Sequence, residues 1–165
     1  MRLRPETAED EGFLCRLYAS TRAGEMAAVP WPEGAKQAFL ADQFRLQRAH
    51  YRTHYEGAEF LIIEIGAEPA GRLYLHRTPG EVRVMDIALT PEWRGRGIGG
   101  SLLRSILEEA GRAGAAVTCH VEFNNPARRL YERLGFRLVE ERGIYLFLAW
   151  RPDVTGGGGA EARRP

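Results

Sequence analysis

A mixed α+β domain, with a central, mostly antiparallel twisted sheet of about six or seven strands flanked by about four helices, is the fold class this sequence predicts. Three observations carry that expectation. Residues 59–89 read as three strand-like runs joined by short turns. A strongly amphipathic helix follows over about 98–112. The chain then alternates strand, short helix and two further strands.

Taken in order, residues 1–5 are a short strand, and Thr7 caps a helix that carries Phe13, Leu14, Leu17 and Tyr18 at apolar positions, with acids in its first turn. "GEMAAVPWPEG" (24–34) reads as a loop with two prolines around Trp31. A second helix runs from Pro32 to about Tyr55, with Leu40, Phe44, Tyr51 and Tyr55 at helical spacings. "EFLIIEIG" (59–66), "AGRLYLHR" (70–77) and "VRVMDIAL" (82–89) form an antiparallel meander. The helix over 98–112 presents Ile98, Leu102, Leu103, Ile106, Leu107 and Ala110 as one stripe. "AAVTCHVE" (115–122) is a strand, and "NNPARRLYERLG" (124–135) is a short helix with Asn125 as cap, Pro126 at its first position and Gly135 as its stop. "FRLVEERG" and "IYLFLAW" finish as strands, so the domain covers 1–150. Residues 151–165 are Gly-rich and poor in apolar residues, and are expected to be a disordered tail.

The 165 residues suit one domain, and 44% hydrophobic with 27% charged content is that of a soluble globular chain. A net charge of +1 with interspersed signs argues against a dedicated nucleic-acid binder. Cys15 and Cys119 are far apart and form no CxxC pair, so both are read as reduced, and no metal site is expected. His50 and His54 are four apart but lack the glutamate of a metalloprotease helix. The first residues hold no apolar stretch, and no run approaches the ~18 apolar residues of a membrane span. A cytoplasmic protein without membrane or nucleic-acid partner is the expectation.

"WRGRGIGG" (93–100) carries the chemistry. Gly95-x-Gly97-x-x-Gly100 satisfies a dinucleotide-binding pattern, and Arg94-x-x-Gly97-x-Gly99 a different phosphate-binding one. The dinucleotide reading needs its first glycine at the immediate end of a strand, whereas Thr90 to Gly95 intervene here. Glu122 stands roughly where a ribose-binding acid belongs, but an antiparallel meander precedes the unit and too little chain follows for a second half. In the other reading, glycines let the backbone approach a pyrophosphate at the start of the helix near Ile98, with Arg94 and Arg96 adding charge. A glycine-rich turn with two solvated arginines is the alternative.

Downstream, "NNPARRLYERLGF" places Asn124, Ala127, Leu130, Tyr131, Gly135 and Phe136 on a strand–helix–strand unit. With "DIALTPEWRGRGIGGSLL", in that order and spacing, the chain over about 1–150 resembles the GNAT superfamily of acetyl-CoA-dependent N-acetyltransferases. The resemblance implies an acyltransferase in which a primary amine attacks the acetyl-CoA thioester directly and a tetrahedral intermediate expels the thiolate. It implies that backbone groups of Ile87 and Leu89 pair with the pantetheine arm. It also implies that Gly95, Arg96, Gly97, Ile98, Gly99 and Gly100 hold the pyrophosphate beside Arg94, and that Asn124 touches the pantetheine. A backbone N–H near Leu89 is the oxyanion donor, provided the central strands splay. Tyr131 matches the tyrosine that protonates the leaving thiolate, the alternative being an ordinary core residue.

The general base has no obvious match. Relatives place a glutamate where this chain has Arg83 or Met85. On strict alternation Arg83, Met85, Ile87 and Leu89 share one face, and Asp86 falls on the other unless a bulge shifts the register. Glu122, Glu64, Glu25 and His76 stay open. Arg83 facing the acceptor would favour a substrate with a carboxylate or phosphate, with Arg77, His76 and Trp31 lining the same pocket. The acceptor is a small-molecule or peptide amine, and an exposed final strand would allow a homodimer. A non-catalytic acyl-CoA sensor or regulatory module is the second function class, favoured by the missing base.

Overall fold

Alternating apolar residues in the meander build the middle of a seven-stranded sheet, ordered β1-β2-β3-β4-β5-β7-β6. The computed structural model describes residues 1–153, and the glycine-rich tail from 154 onward lies outside them. The strands are β1 Arg2–Pro5, β2 Glu59–Ile65, β3 Glu68–Thr78, β4 Glu81–Leu89, β5 Ala116–Glu122, β6 Arg137–Arg142 and β7 Tyr145–Trp150. The helices are α1 Glu11–Ala27, α2 Glu33–His54, α3 Ile98–Ala113 and α4 Arg128–Arg133. Every neighbouring pair is antiparallel except β4 and β5, which α3 joins as a parallel crossover.

Local chemistry sets the helix ends. A short turn of 3-10 helix over Ala8–Asp10 opens with the Thr7–Asp10 capping box. α1 continues to Ala27, further than the loop expected from residue 24, because Gly24 is tolerated inside a helix and Glu25, Met26 and Ala27 are good helix formers; the connection shrinks to 28–32, where Pro30 and Pro32 stand. α4 begins later than expected. The Asn125 carboxamide accepts from Ala127 N at 2.9 Å, which closes a side-chain turn around Pro126 and delays the helix to Arg128.

Two apolar clusters cover the two faces. α3 and α4 pack on one face through Leu102, Leu103, Ile106, Leu107, Tyr131 and Phe136. α1 and α2 close the other through Leu14, Tyr18, Leu40 and Phe44 over Ile62.

Three details differ from simple alternation. First, Tyr74 pairs with Asp86 but Leu75 pairs with Val84, so Met85 is an unpaired bulge. The bulge brings Val82, Val84, Ile87 and Leu89 all to the α3 face. Arg83 therefore does not share a face with Ile87 and Leu89; it shares the α2 face with Asp86. Second, β4 and β5 are paired only from Glu81–Ala116 to Val84–Cys119. Beyond that point β5 pairs with β7 alone, and the two central strands splay. Third, the final strand β7 lies inside the sheet between β5 and β6, since insertion there buries Leu146, Leu148 and Ala149. The sheet edges are β1 and β6, so an exposed final strand does not supply the expected homodimer contact.

Candidate functional site

The loop after β4 is built by glycine conformation. Gly95 and Gly97 hold φ of 71° and 79°, in the left-handed region where a side chain is disfavoured. Gly97 caps α3, and its carbonyl accepts from Ser101 N at 3.0 Å. The first-turn N–H groups of α3, those of Ile98, Gly99 and Gly100, have no partner within the helix and carry the positive end of its dipole. Arg96 stacks over the Trp93 ring at 4.8 Å. Arg94 folds back, donating through Nε to Leu89 O at 2.8 Å and through Nη2 to Ser20 Oγ at 2.8 Å. A Cβ on Gly100 would stand 3.4 Å from Leu130 Cδ1 and 3.5 Å from the Arg104 guanidinium. That brings α3 against α4 and places a further cation, not anticipated from the motif, beside the helix start.

Next to the loop lies the splay. Thr90 N donates to Ala70 O at 2.9 Å, which sets the antiparallel alternation along β3 and β4. In that phase Ile87 and Leu89 turn their backbone N–H and C=O groups away from β3, toward the side from which β5 has departed. A free strand edge of this kind binds an extended amide chain by β-augmentation. The Leu89 carbonyl of this edge is already engaged, by Arg94. Asn124 is exposed in the turn that follows β5.

Tyr131 comes from α4 with 4% exposure, its ring edge-on to Phe136 at 5.2 Å. Burial pushes its phenol pKa upward, and the nearby Cys119 and Asp86 push in the same direction. Cys119, on β5 where pairing with β4 ends, is itself pushed up to about 12 by burial, which keeps its thiol protonated and inert.

On the α2 face, the splay is bordered by Asp86 from β4 and His120 from β5, the first polar side chains beyond the last β4–β5 pair on that side. Arg72, 2% exposed, donates to Asp86 Oδ2 at 2.6 Å and to Gln47 Oε1 at 2.9 Å. The Tyr51 hydroxyl stands 3.5 Å from the same Oδ2, and burial keeps this phenol protonated by raising its pKa. His120 Nε2 faces Arg142 at 3.0 Å and its ring packs on Phe147; burial, Arg83 and Arg142 lower its pKa. His120 carried no motif. The signal for Asp86 was the slip in apolar phase between Val84 and Ile87.

The other candidates separate. Arg83 lies on this face, tied to Glu81 at 3.1 Å, with its guanidinium 6.0 Å from the Phe147 ring. Arg77 points to the α3 face, where Glu109 takes it at 2.7 Å, so it does not line a pocket with Arg83. Trp31 packs edge-on against Phe39 of α2 in the α1–α2 connection. Glu64 is at the β1 side of the sheet; Arg4 and Arg2 hold its pKa down and occupy both its oxygens. Arg22 bridges Glu25 and Glu122, each at 3.1 Å. His76 lies against Tyr55 and contacts Glu56 O at 3.1 Å. Among the described residues no group of three or more metal-ligating side chains is assembled, and no helix is long and apolar enough to cross a membrane.

Comparison with known proteins supplies family and fold. The model of the acetyltransferase (GNAT) family matches residues 23–136. The N-alpha-acetyltransferase RimI of Mycobacterium tuberculosis is 36% identical over 118 residues, which cover 70% of this chain and 67% of that protein. A mycothiol acetyltransferase of Corynebacterium aurimucosum is 41% identical over 70 residues, 41% of this chain but only 23% of its own length. The PaiA N-acetyltransferase of Thermoplasma acidophilum, solved with coenzyme A, superposes with a TM-score of 0.68 at 16% identity, over 91% of this chain and 98% of that one.

Proposed function

The chain belongs to the acetyltransferase (GNAT) family, and from that premise we propose that it transfers the acetyl group of acetyl-CoA to a primary amine by direct attack. The observation that carries the reading is the junction of two features. The backbone edge of Ile87 and Leu89 is released by the splay, and the N–H groups at the start of α3 that have no partner within the helix lie immediately beyond it. An extended diamide ending in a pyrophosphate matches that pair of features in order.

The residues have separate tasks. Gly95 to Gly100 cradle the pyrophosphate, with Arg94, Arg96 and Arg104 supplying charge, and Ile87 and Leu89 hold the pantetheine amides beside Asn124. Arg94 leaves Leu89 O when that carbonyl is needed. A Leu89 N–H aimed into the splay stabilises the oxyanion, an effect of ~3–4 kcal/mol for one preorganised donor. Tyr131 gives its proton to the departing sulfur. The burial that raises the phenol's pKa acts in the same direction on a thiol in these surroundings, as Cys119 illustrates.

The test is calorimetric titration with acetyl-CoA, with NADH as control, followed by thiol release across an amine panel headed by α-amino acceptors, the kind named for the RimI relative. Micromolar acetyl-CoA binding with amine-dependent thiol release is expected. Binding without amine-dependent release would mark the chain as an acyl-CoA sensor instead, and absence of binding by a folded chain removes both.

A further inference from the structure

At the mouth of the splay one carboxylate is held by one oxygen only. Arg72 and Tyr51 both address Asp86 Oδ2, from β3 and α2 respectively. Oδ1 accepts from no protein donor among the described residues, and the Asp86 side chain is 17% exposed. Its clamp is rigid, because Arg72 is buried, lies 5.0 Å from the Tyr74 ring and is anchored a second time on Gln47.

The neighbouring groups are unsuited to accept a proton there. Glu122 is shared with Arg22, and Glu81 with Arg83 and Thr118. His120 has Arg142 at its Nε2 and Arg83 nearby, both of which oppose a positive imidazole.

We propose that Asp86 is the catalytic carboxylate that receives the acceptor amine, and that Arg72 is the positioning residue that fixes it. The proposal rests on the acetyl-transfer reading above. Asp86 Oδ1 accepts an N–H of the neutral amine and aims its lone pair at the acyl carbon. The lone pair forms the C–N bond and the carbonyl π pair moves onto oxygen. The nitrogen then carries a positive charge beside Asp86, which takes its proton. As the carbonyl re-forms, the C–S bond breaks with its electron pair on sulfur, and Tyr131 protonates that sulfur. Amide and thiol result, and exchange with water returns the proton from Asp86 to Tyr131.

The experiment compares wild type with Asp86→Asn, Asp86→Glu, Arg72→Gln, the double variant and His120→Gln. Acetyl-CoA affinity is measured by calorimetry, and thiol release is followed with glycyl-glycinamide, glucosamine and an α-blocked lysine amide. Asp86→Asn is expected to lose ~10²–10³-fold in kcat/KM with whichever amine wild type uses, mainly in kcat, while acetyl-CoA affinity stays within about twofold. Asp86→Glu recovers about tenfold or more of that loss. Arg72→Gln lowers kcat alone and adds little in the Asp86→Asn background, because the two act as one unit. The double variant, free of an unpaired buried charge, keeps the test open if a single variant does not fold. Asp86→Asn or the double variant within about threefold of wild type, or a loss carried by His120→Gln in its place, overturns the proposal while leaving acetyl transfer standing. A wild-type chain that binds acetyl-CoA and acetylates no amine overturns both.

Discussion

Asp86 pairs with Tyr74 across the β3–β4 ladder, while Val84 pairs with Leu75, and the single residue between them on β4 has no partner. That odd residue decides which side chains of β4 face α2 and which face α3. Without it, either Val82 and Val84 or Ile87 and Leu89 leave the apolar cluster. Deletion of Met85 is therefore expected to abolish a cooperative unfolding transition. Burying each aliphatic side chain contributes ~1.5–3 kcal/mol, so two misplaced residues remove ~3–6 kcal/mol from a stability of ~5–15 kcal/mol. Thermal denaturation followed by circular dichroism checks it, and a sharp transition near the wild-type midpoint would show that the bulge is dispensable.

The helices and the meander were legible because each had its own periodicity: the stripe from Ile98 to Ala110 on α3, and alternation in β2 and β3. The bulge was legible only in outline. Strict alternation puts Arg83 with Ile87, and the demand that overrides it is tertiary, since Val82, Val84, Ile87 and Leu89 must all reach α3. The order of the last hairpin was not legible at all, because "FRLVEERG" and "IYLFLAW" differ in hydrophobicity but carry no mark of which lies beside β5. The loop glycines and Tyr131 stood out through their motif. Arg72 and His120 did not, because their roles come from partners distant in the chain: Asp86 on β4 for the first, Arg142 on β6 for the second.

Close approach rather than torsion makes one glycine indispensable. A Cβ on Gly71 would stand 2.3 Å from Ala88 O and 2.9 Å from Leu89 Cδ2. Gly71→Ala must push β4 away from β3 at the very end that carries Leu89, at a cost of ~1–3 kcal/mol. A fall in melting temperature of about 2–10 °C is expected. An unchanged melting temperature would mean that the two strands relax apart freely.

Gly97 and Gly99 separate fold from ligand. Gly97, at φ 79°, is strained by any side chain, so Gly97→Ala is expected to cost ~1–2 kcal/mol as well as weakening acetyl-CoA binding. A Cβ at Gly99 meets only Ile87 Cδ1 at 3.9 Å, an ordinary contact. Gly99→Ala should keep or raise stability by up to about 1 kcal/mol. If the pyrophosphate lies where we propose, its acetyl-CoA affinity should nevertheless fall about tenfold or more. Calorimetry beside thermal denaturation reads both quantities; undiminished affinity in Gly99→Ala would move the pyrophosphate away from this residue.

Tyr131→Phe removes one oxygen and keeps the edge-on contact with Phe136. The variant is expected to stay folded and to bind acetyl-CoA as wild type does, with kcat lowered ~10²-fold. Because burial raises the phenol's pKa, the acid form persists through the working range, and the wild-type rate should show no falling limb from this group below about pH 10. A variant with wild-type kcat would leave Tyr131 as a core residue.

Acid stability rests on the opposite edge of the sheet. Arg4 donates to Asp10 through Nη1 at 2.8 Å and Nη2 at 2.7 Å, and to Glu64 through Nε at 2.6 Å. The Arg4 side chain, aided by the Thr7 amide, lowers the Asp10 pKa from 3.8 to about 2, and Glu64 shifts down for the same reason. A carboxyl whose pKa is lower in the folded chain stabilises it above the unfolded pKa. That contribution is lost as pH falls through the folded one. Stability should therefore drop between about pH 4 and pH 2 by on the order of 1 kcal/mol from Asp10, after allowance for screening by water. Arg4→Gln removes the cause, so the variant should be less stable at pH 7 and lose less on acidification across that interval. Parallel acid titrations of wild type and variant, followed by far-ultraviolet circular dichroism in a fixed urea concentration, measure the difference. Superimposable slopes would assign the acid sensitivity to other carboxylates.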